Sequence, residues 1–228
     1  MSLFACHIVT VHMAQALPSQ SPALWILLAY VVLFLAELAI ETALELLNAR
    51  HVRQHADGVP THLSAVIGIE EYRKSVEYTL VRNRFGLISN LAGAAFVLLV
   101  VASGGLGVLD SAIAYLEWGA YLHGIAFVFA VMLLFGLFSL PFSLYSQFVI
   151  EARFGFNTMT AKLFVIDTFK SMILSVVLMS PLLAGLFLFM DIAGRWWWLY
   201  AFAFIAAFQL LMILIYPTWI APLFNKFT

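Results

Sequence analysis

The sequence predicts an all-α polytopic membrane protein, a bundle of about five transmembrane helices with interfacial helices between them. Hydrophobic residues make up 64% of the chain and charged residues only 10%, against about a quarter charged in soluble domains. Mean hydropathy is +1.02 over 228 residues. Five apolar runs are each long enough, at about 1.5 Å per residue, to cross a hydrocarbon core about 30 Å thick.

Residues 1–22 form a mildly apolar lead-in that ends in Pro18 and Pro22. The small-residue site at Ala14-Gln15-Ala16 resembles a signal-peptidase site, but no Lys or Arg precedes it and His7 and His12 interrupt the apolar run, so an uncleaved lead-in is expected. The lone Cys6 excludes an internal disulfide and reads as an inert apolar residue. The first span, about 23–46, carries Glu37, Glu41 and Glu45 at intervals of four, hence on one helix face. Counted from Trp25, Glu37 lies about 18 Å along the helix. A carboxylate at that depth costs several kcal/mol against lipid, so the stripe either pairs within the protein or lines a polar cavity.

Residues 48–85 are the most polar segment and contain an amphipathic helix from Ile69 to Arg84, with Tyr72, Val76 and Leu80 on one face. His51 and His55 stand four apart. A hydrolytic zinc helix needs His-Glu-x-x-His, and here the order is His51-Val52-Arg53-Gln54-His55, with a cation in the middle. A solvated basic helix end is the expectation. The second span covers about 87–106, and Gly107–Trp118 suits a short interfacial helix. The third span, 119–145, contains Pro141 as a kink point, and the fourth, 164–190, is expected to break at Ser180-Pro181. The fifth, 196–216, is bounded by Trp196, Trp197 and Trp198 at one end and Tyr216 and Trp219 at the other. Trp198 and Tyr216 lie about 27 Å apart on a helix, the separation of two interfacial aromatic belts, so they anchor the span.

Between the third and fourth spans, residues 148–163 are polar. Phe154-Gly155-Phe156 marks a turn, Asn157, Thr158 and Thr160 are candidate N-caps, and Asp167 and Lys170 have the spacing of a helical ion pair. Lys and Arg are distributed ten against one between the two sides, which puts segments 48–85 and 148–163 and the C-terminus in the cytoplasm and the N-terminus outside. A net charge of −1 leaves no basic patch for nucleic acid.

The run from Pro141 and Tyr145 through Phe148, Glu151, Phe154, Gly155, Phe156 and Asn157 to Thr160, Asp167 and Lys170 resembles the signature of the membrane-embedded N-terminal region of the CAAX prenyl protease type 1 family. A second run, Tyr216-Pro217-Thr218-Trp219-Ile220-Ala221-Pro222-Leu223-Phe224-Asn225-Lys226-Phe227, is similar to that family's connector into its catalytic part. Glu71-Tyr72 and Tyr78 to Phe85 add a weaker match. The family comprises integral-membrane zinc metallopeptidases that enclose an intramembrane chamber. The resemblance therefore implies a module that encloses and orients membrane-associated or lipidated proteins, in a bacterial inner membrane or, in a eukaryote, the endoplasmic reticulum.

The family's zinc site is a His-Glu-x-x-His helix with a more distant Glu, and no His-Glu dipeptide occurs in these 228 residues. No catalytic or metal residue is assigned, zinc is expected only in a complete enzyme, the chain alone is expected to be inactive, and a longer natural product is expected. Two other readings remain open. One is a non-catalytic membrane scaffold related to the protease, and the other a small transporter or channel subunit, suggested by carboxylates in a span and a Pro-interrupted helix.

Overall fold

The computed structural model describes residues 22–56, 58, 59 and 67–224. The lead-in with Cys6, His7 and His12, the loop proline Pro60, and Asn225, Lys226 and Phe227 of the connector lie outside them. The described residues contain no strand. The helices are α1 (Pro22–Gln54), α2 (Ile69–Ala102), α3 (Gly105–Ala114), α4 (Ala120–Tyr145), α5 (Ala161–Ile192) and α6 (Trp197–Ile215). Five helical segments are long and apolar enough to cross a membrane: Leu24–Gln54, Ile69–Ala102, Ala120–Phe154, Ala161–Ile192 and Gly194–Phe224.

Several elements differ from the sequence expectation. The amphipathic segment from Ile69 and the second span are one helix, because no proline or turn residue separates Arg84 from Leu87 and Gly86 alone costs a helix about 1 kcal/mol. Tyr72 and Val76 are half-buried between exposed neighbours, as one helix face requires, and Leu80 lies in a half-buried run from Tyr78 to Val81. The expected break at Ser180-Pro181 is absent: α5 runs through Pro181 without interruption. In a bilayer no water is present to solvate a broken backbone, so a helix keeps its remaining hydrogen bonds around a proline. Pro141 likewise stays inside α4, and the distortion comes further on, as a π-helical turn over Ser146–Glu151. A second π-helical turn, Tyr216–Ile220, contains Pro217 and leads into a last helical turn, Ala221–Phe224.

The chain divides into two compact units, residues 1–94 and 95–228, and α2 contributes to both. In the first unit, α1 and α2 are joined through Glu45: Asn83 Nδ2 donates to its carbonyl at 3.1 Å and Asn90 Nδ2 to its Oε1 at 3.2 Å. In the second, the most extensive helix contact is between α5 and α6. There Gly185 lets the Phe204 ring approach so closely that a Cβ would lie 2.6 Å from it, and Gly124 of α4 does the same for Phe187 of α5. Such small-residue contacts are how helices approach in lipid, where the hydrophobic effect does not press them together. Phe96 stacks on Phe138 at 4.0 Å between centroids and meets Phe135 edge-on at 5.4 Å, tying the end of α2 to α4. His123 and Asp110, 2.7 Å apart, fasten α3 to the start of α4.

Candidate functional site

The polar segment between α4 and α5 is built as a helix stop followed by a new start. A short α-turn, Ala152–Phe154, ends at Gly155, whose φ of +80° is open to glycine and costs other L-residues about 1–2 kcal/mol. The Phe156 N–H donates to the Glu151 carbonyl at 2.9 Å and the Gly155 N–H to that of Ala152 at 3.2 Å, the paired bonds of a Schellman stop. Asn157 then folds back. Its Oδ1 accepts from the Met159 N–H and from Gln147 Nε2, both at 2.8 Å, so one side chain shapes the turn and pins it to the preceding helix. The backbone N–H only donates, which fixes the orientation of the amide. Thr160 caps α5, its Oγ1 accepting from Leu163 N at 3.2 Å. Phe154 is buried beneath this turn, while Phe156 and Tyr145 are exposed.

About two turns into α5, Asp167 and Lys170 form the expected i,i+3 pair at 3.5 Å. Asp167 Oδ1 is shielded from water and has this Coulombic contact but no hydrogen bond. Lys170 reaches further. Its Nζ donates to the Leu223 carbonyl at 3.0 Å and lies 5.8 Å from the Phe224 ring centroid. Asp167, Lys170, Leu223 and Phe224 thus form one latch between α5 and the Ala221–Phe224 turn, which also contains Ala221 and Pro222 and follows the π-helical turn with Pro217. Lys170→Met keeps the aliphatic stem and removes the charge. Amide exchange at Ala221, Leu223 and Phe224 is expected to rise about fivefold in that variant, the equivalent of about 1 kcal/mol for a part-exposed charged hydrogen bond. Unchanged exchange would mean that the turn is held without the latch.

Asp167 also lines a groove of about 400 Å³ between α4 and α5, with Ser139, Ser143 and Gln147 on one wall and Thr168 and Ser171 on the other. Three of the hydroxyls are already spent as donors, Ser139 to Phe135 O, Ser143 to Ser139 O and Thr168 to Phe164 O. Their oxygens, like the Asp167 carboxylate, remain acceptors. The groove is therefore suited to a chain of N–H donors such as a peptide backbone. Its lining holds neither a His nor a Cys to serve as base or nucleophile.

Of the acidic stripe, Glu45 turns onto α2, whereas Glu37 and Glu41 are exposed and make no hydrogen bond or ion pair among the described residues. His51 and His55 stack at 4.2 Å between centroids, with His55 Nδ1 2.9 Å from the His51 carbonyl. Among the described residues there is no group of three or more His, Cys, Asp or Glu that could hold a metal ion. Sequence reasoning passed over Gln147, the Leu223 carbonyl and Asn83, and took Asn90 only as a small residue allowing close helix approach, not as the donor to Glu45. A signal existed for most of them: Ser139, Ser143 and Gln147 repeat every four residues in an apolar helix, and Asn83 and Asn90 are two turns apart on α2.

The sequence and the architecture match known proteins. The family model for the CAAX prenyl protease N-terminal region, described as five membrane helices, covers residues 48–226. The chain belongs to the CAAX prenyl protease N-terminal family. It is 34% identical over 201 residues to a CAAX prenyl protease 1 homolog of Oryza sativa, a match covering 78% of this chain and 44% of the relative. It is 36% identical over 190 residues to the homolog of Arabidopsis thaliana, covering 75% and 42%. The crystal structure of Ste24p from S. mikatae superposes with a TM-score of 0.79 at 27% identity, over 86% of this chain and 46% of that one. The chain thus spans a little under half the length of these relatives. The helix stop at Gly155, the Asn157 turn, the latch and the groove all fall within the residues that the CAAX prenyl protease N-terminal family covers.

Proposed function

We propose that this chain is the membrane-embedded module of a zinc metalloendopeptidase of the CAAX prenyl protease kind, and that it encloses and orients a membrane-associated or lipidated protein for cleavage. The observation that carries this reading is the double engagement of Asp167. It lines the acceptor-rich groove and also pairs with the lysine that holds the Ala221–Phe224 turn. A peptide lying in the groove is thereby positioned relative to whatever follows that turn. Glu37 and Glu41 border a polar cavity of their own unit in this reading, since an ionised carboxylate against lipid is too costly to persist. The N-terminus lies outside and the groove opens toward the cytoplasm, following the Lys and Arg asymmetry. Zinc belongs to another part of the complete protein, and the module's own work is binding, orientation and exclusion of lipid.

A photoreactive amino acid tests this in membranes. Placed at Ser143 in the groove, it is expected to capture a farnesylated peptide ending in a CAAX sequence, and capture is competed by unlabelled peptide. Placed at Val177, which is 61% exposed on α5, it is expected to capture lipid and no peptide. Equal capture at both positions, or none at Ser143, overturns the reading. The purified 228-residue chain is expected to cleave no peptide, and zinc-dependent cleavage by it would also overturn the assignment.

A further inference from the structure

One pocket outside the groove brings opposite charges together without pairing them. It lies in the first unit, where the last third of α1 meets α2, has a volume of about 360 Å³, and is lined by Glu45, Tyr78, Thr79, Arg82, Asn83 and Gly86. Asn83 and Asn90 hold Glu45 in place through its carbonyl and Oε1. Its other oxygen, Oε2, is shielded from water and accepts no hydrogen bond. A carboxylate oxygen withdrawn from water without a donor is costly, so the position calls for one. Arg82 lines the same pocket and spends one N–H on the Tyr78 hydroxyl at 3.1 Å. Four further guanidinium donors remain. Glu45 and Arg82 make no ion pair with each other among the described residues.

The level of the pocket narrows the choice of ligand. On α1 the apolar run ends at Leu47, and Asn48, Arg50 and His51 follow; on α2 the charged run ends at Arg84 and the apolar span begins at Phe85. Both helices therefore put the pocket at a boundary between polar and apolar sequence, the level of lipid headgroups. A ligand carrying a phosphate and, a few ångströms away, a primary ammonium satisfies both charges at once.

We propose that this pocket binds the headgroup of an amine phospholipid of the phosphatidylethanolamine class, the phosphate on the Arg82 guanidinium and the ammonium donating to the Glu45 carboxylate. Arginine presents a planar fork of donors that matches phosphate oxygens. The ammonium supplies the N–H that Glu45 lacks. A choline headgroup carries the same charges but no N–H, so it meets Arg82 and leaves Glu45 unsatisfied. The site thus distinguishes two zwitterionic lipids through a hydrogen bond, and does so independently of any substrate in the groove.

The test is lipid retention by native mass spectrometry of the detergent-purified protein, incubated with ethanolamine, choline and glycerol phospholipids of matched acyl chains. The ethanolamine lipid is expected to be retained at least about fivefold over the choline lipid, the scale of one charge-assisted hydrogen bond. Glu45→Gln is expected to bring the ethanolamine lipid down to the choline level and leave the glycerol lipid unchanged. Arg82→Gln is expected to reduce all three. A wild-type series with one, two and three N-methyl groups needs no variant to fold, and retention is expected to drop at the third, when the last N–H is lost. Equal retention of ethanolamine and choline lipids, or discrimination that survives Glu45→Gln, overturns the proposal. Displacement of the lipid by millimolar phosphoethanolamine also overturns it, by reassigning the pocket to a soluble phosphoamine.

Discussion

Gly185→Leu is expected to lower the stability of the protein in detergent micelles by about 1–3 kcal/mol, the usual range for extra methylenes forced into a packed contact. Even a Cβ at this position would lie 2.6 and 2.7 Å from Cε1 and Cζ of Phe204, inside any real carbon contact. Leucine adds three carbons to that clash. Phe204 is itself held edge-on to Phe189 at 5.5 Å, so its ring cannot swing aside without giving up that contact. Gly136→Ala is the control. It sits in α4 with no atom within 4 Å of the place its methyl group would take, and alanine there is expected to leave stability unchanged or raise it by up to about 1 kcal/mol. Chemical unfolding monitored by tryptophan fluorescence measures both. Phe204→Ala in the Gly185→Leu background is expected to recover part of the loss, and a double-mutant cycle reports the coupling. A Gly185→Leu protein as stable as wild type would mean that α5 and α6 do not depend on this close approach.

Asn157→Ala is expected to cost about 2 kcal/mol and to loosen the connection between α4 and α5. The substitution removes one oxygen that accepts two hydrogen bonds at 2.8 Å. It also leaves Gln147 Nε2 and the Met159 N–H, both part-buried, without their acceptor. Asn157→Asp keeps the acceptor and is expected to retain most of the stability. The contrast between the two variants separates the hydrogen bonds from simple loss of side-chain volume. Amide exchange at Met159 reads the turn directly, and protection there that survives Asn157→Ala would sink the account. Because Gln147 also lines the groove, Asn157→Ala is further expected to weaken peptide capture from position 143 without abolishing it.

The class of the protein and the turn at Gly155 were legible in the chain alone. Apolar runs of this length leave a bilayer as the only suitable solvent, and within a bilayer the backbone must satisfy itself as helix. Gly155 between two phenylalanines announced the helix stop because only glycine takes a positive φ without strain. Asp167 and Lys170 announced their pair because an i,i+3 spacing places two side chains on one helix face. These are local facts, and one stretch of chain contains all the atoms they need. The order of the motifs along the chain also sufficed for the family resemblance, which rested on the runs from Pro141 to Lys170 and from Tyr216 to Phe227.

Other features were decided only when distant segments met. Whether Pro181 ends a helix depends on its surroundings as well as on its ring, and α5 continues through it. Lys170 had an ion-pair partner in sequence, but its hydrogen-bond acceptor, the Leu223 carbonyl, is 53 residues away and carries no side-chain signature. Glu45 belonged to a stripe of three, and only the approach of Asn83 and Asn90 sets it apart from Glu37 and Glu41. The same holds for the pocket it shares with Arg82, since the two residues are separated by the whole polar loop. Helical periodicity fixes which residues share a face, whereas the partner of that face is chosen by packing between helices, where small differences in shape and hydrogen bonding decide the outcome.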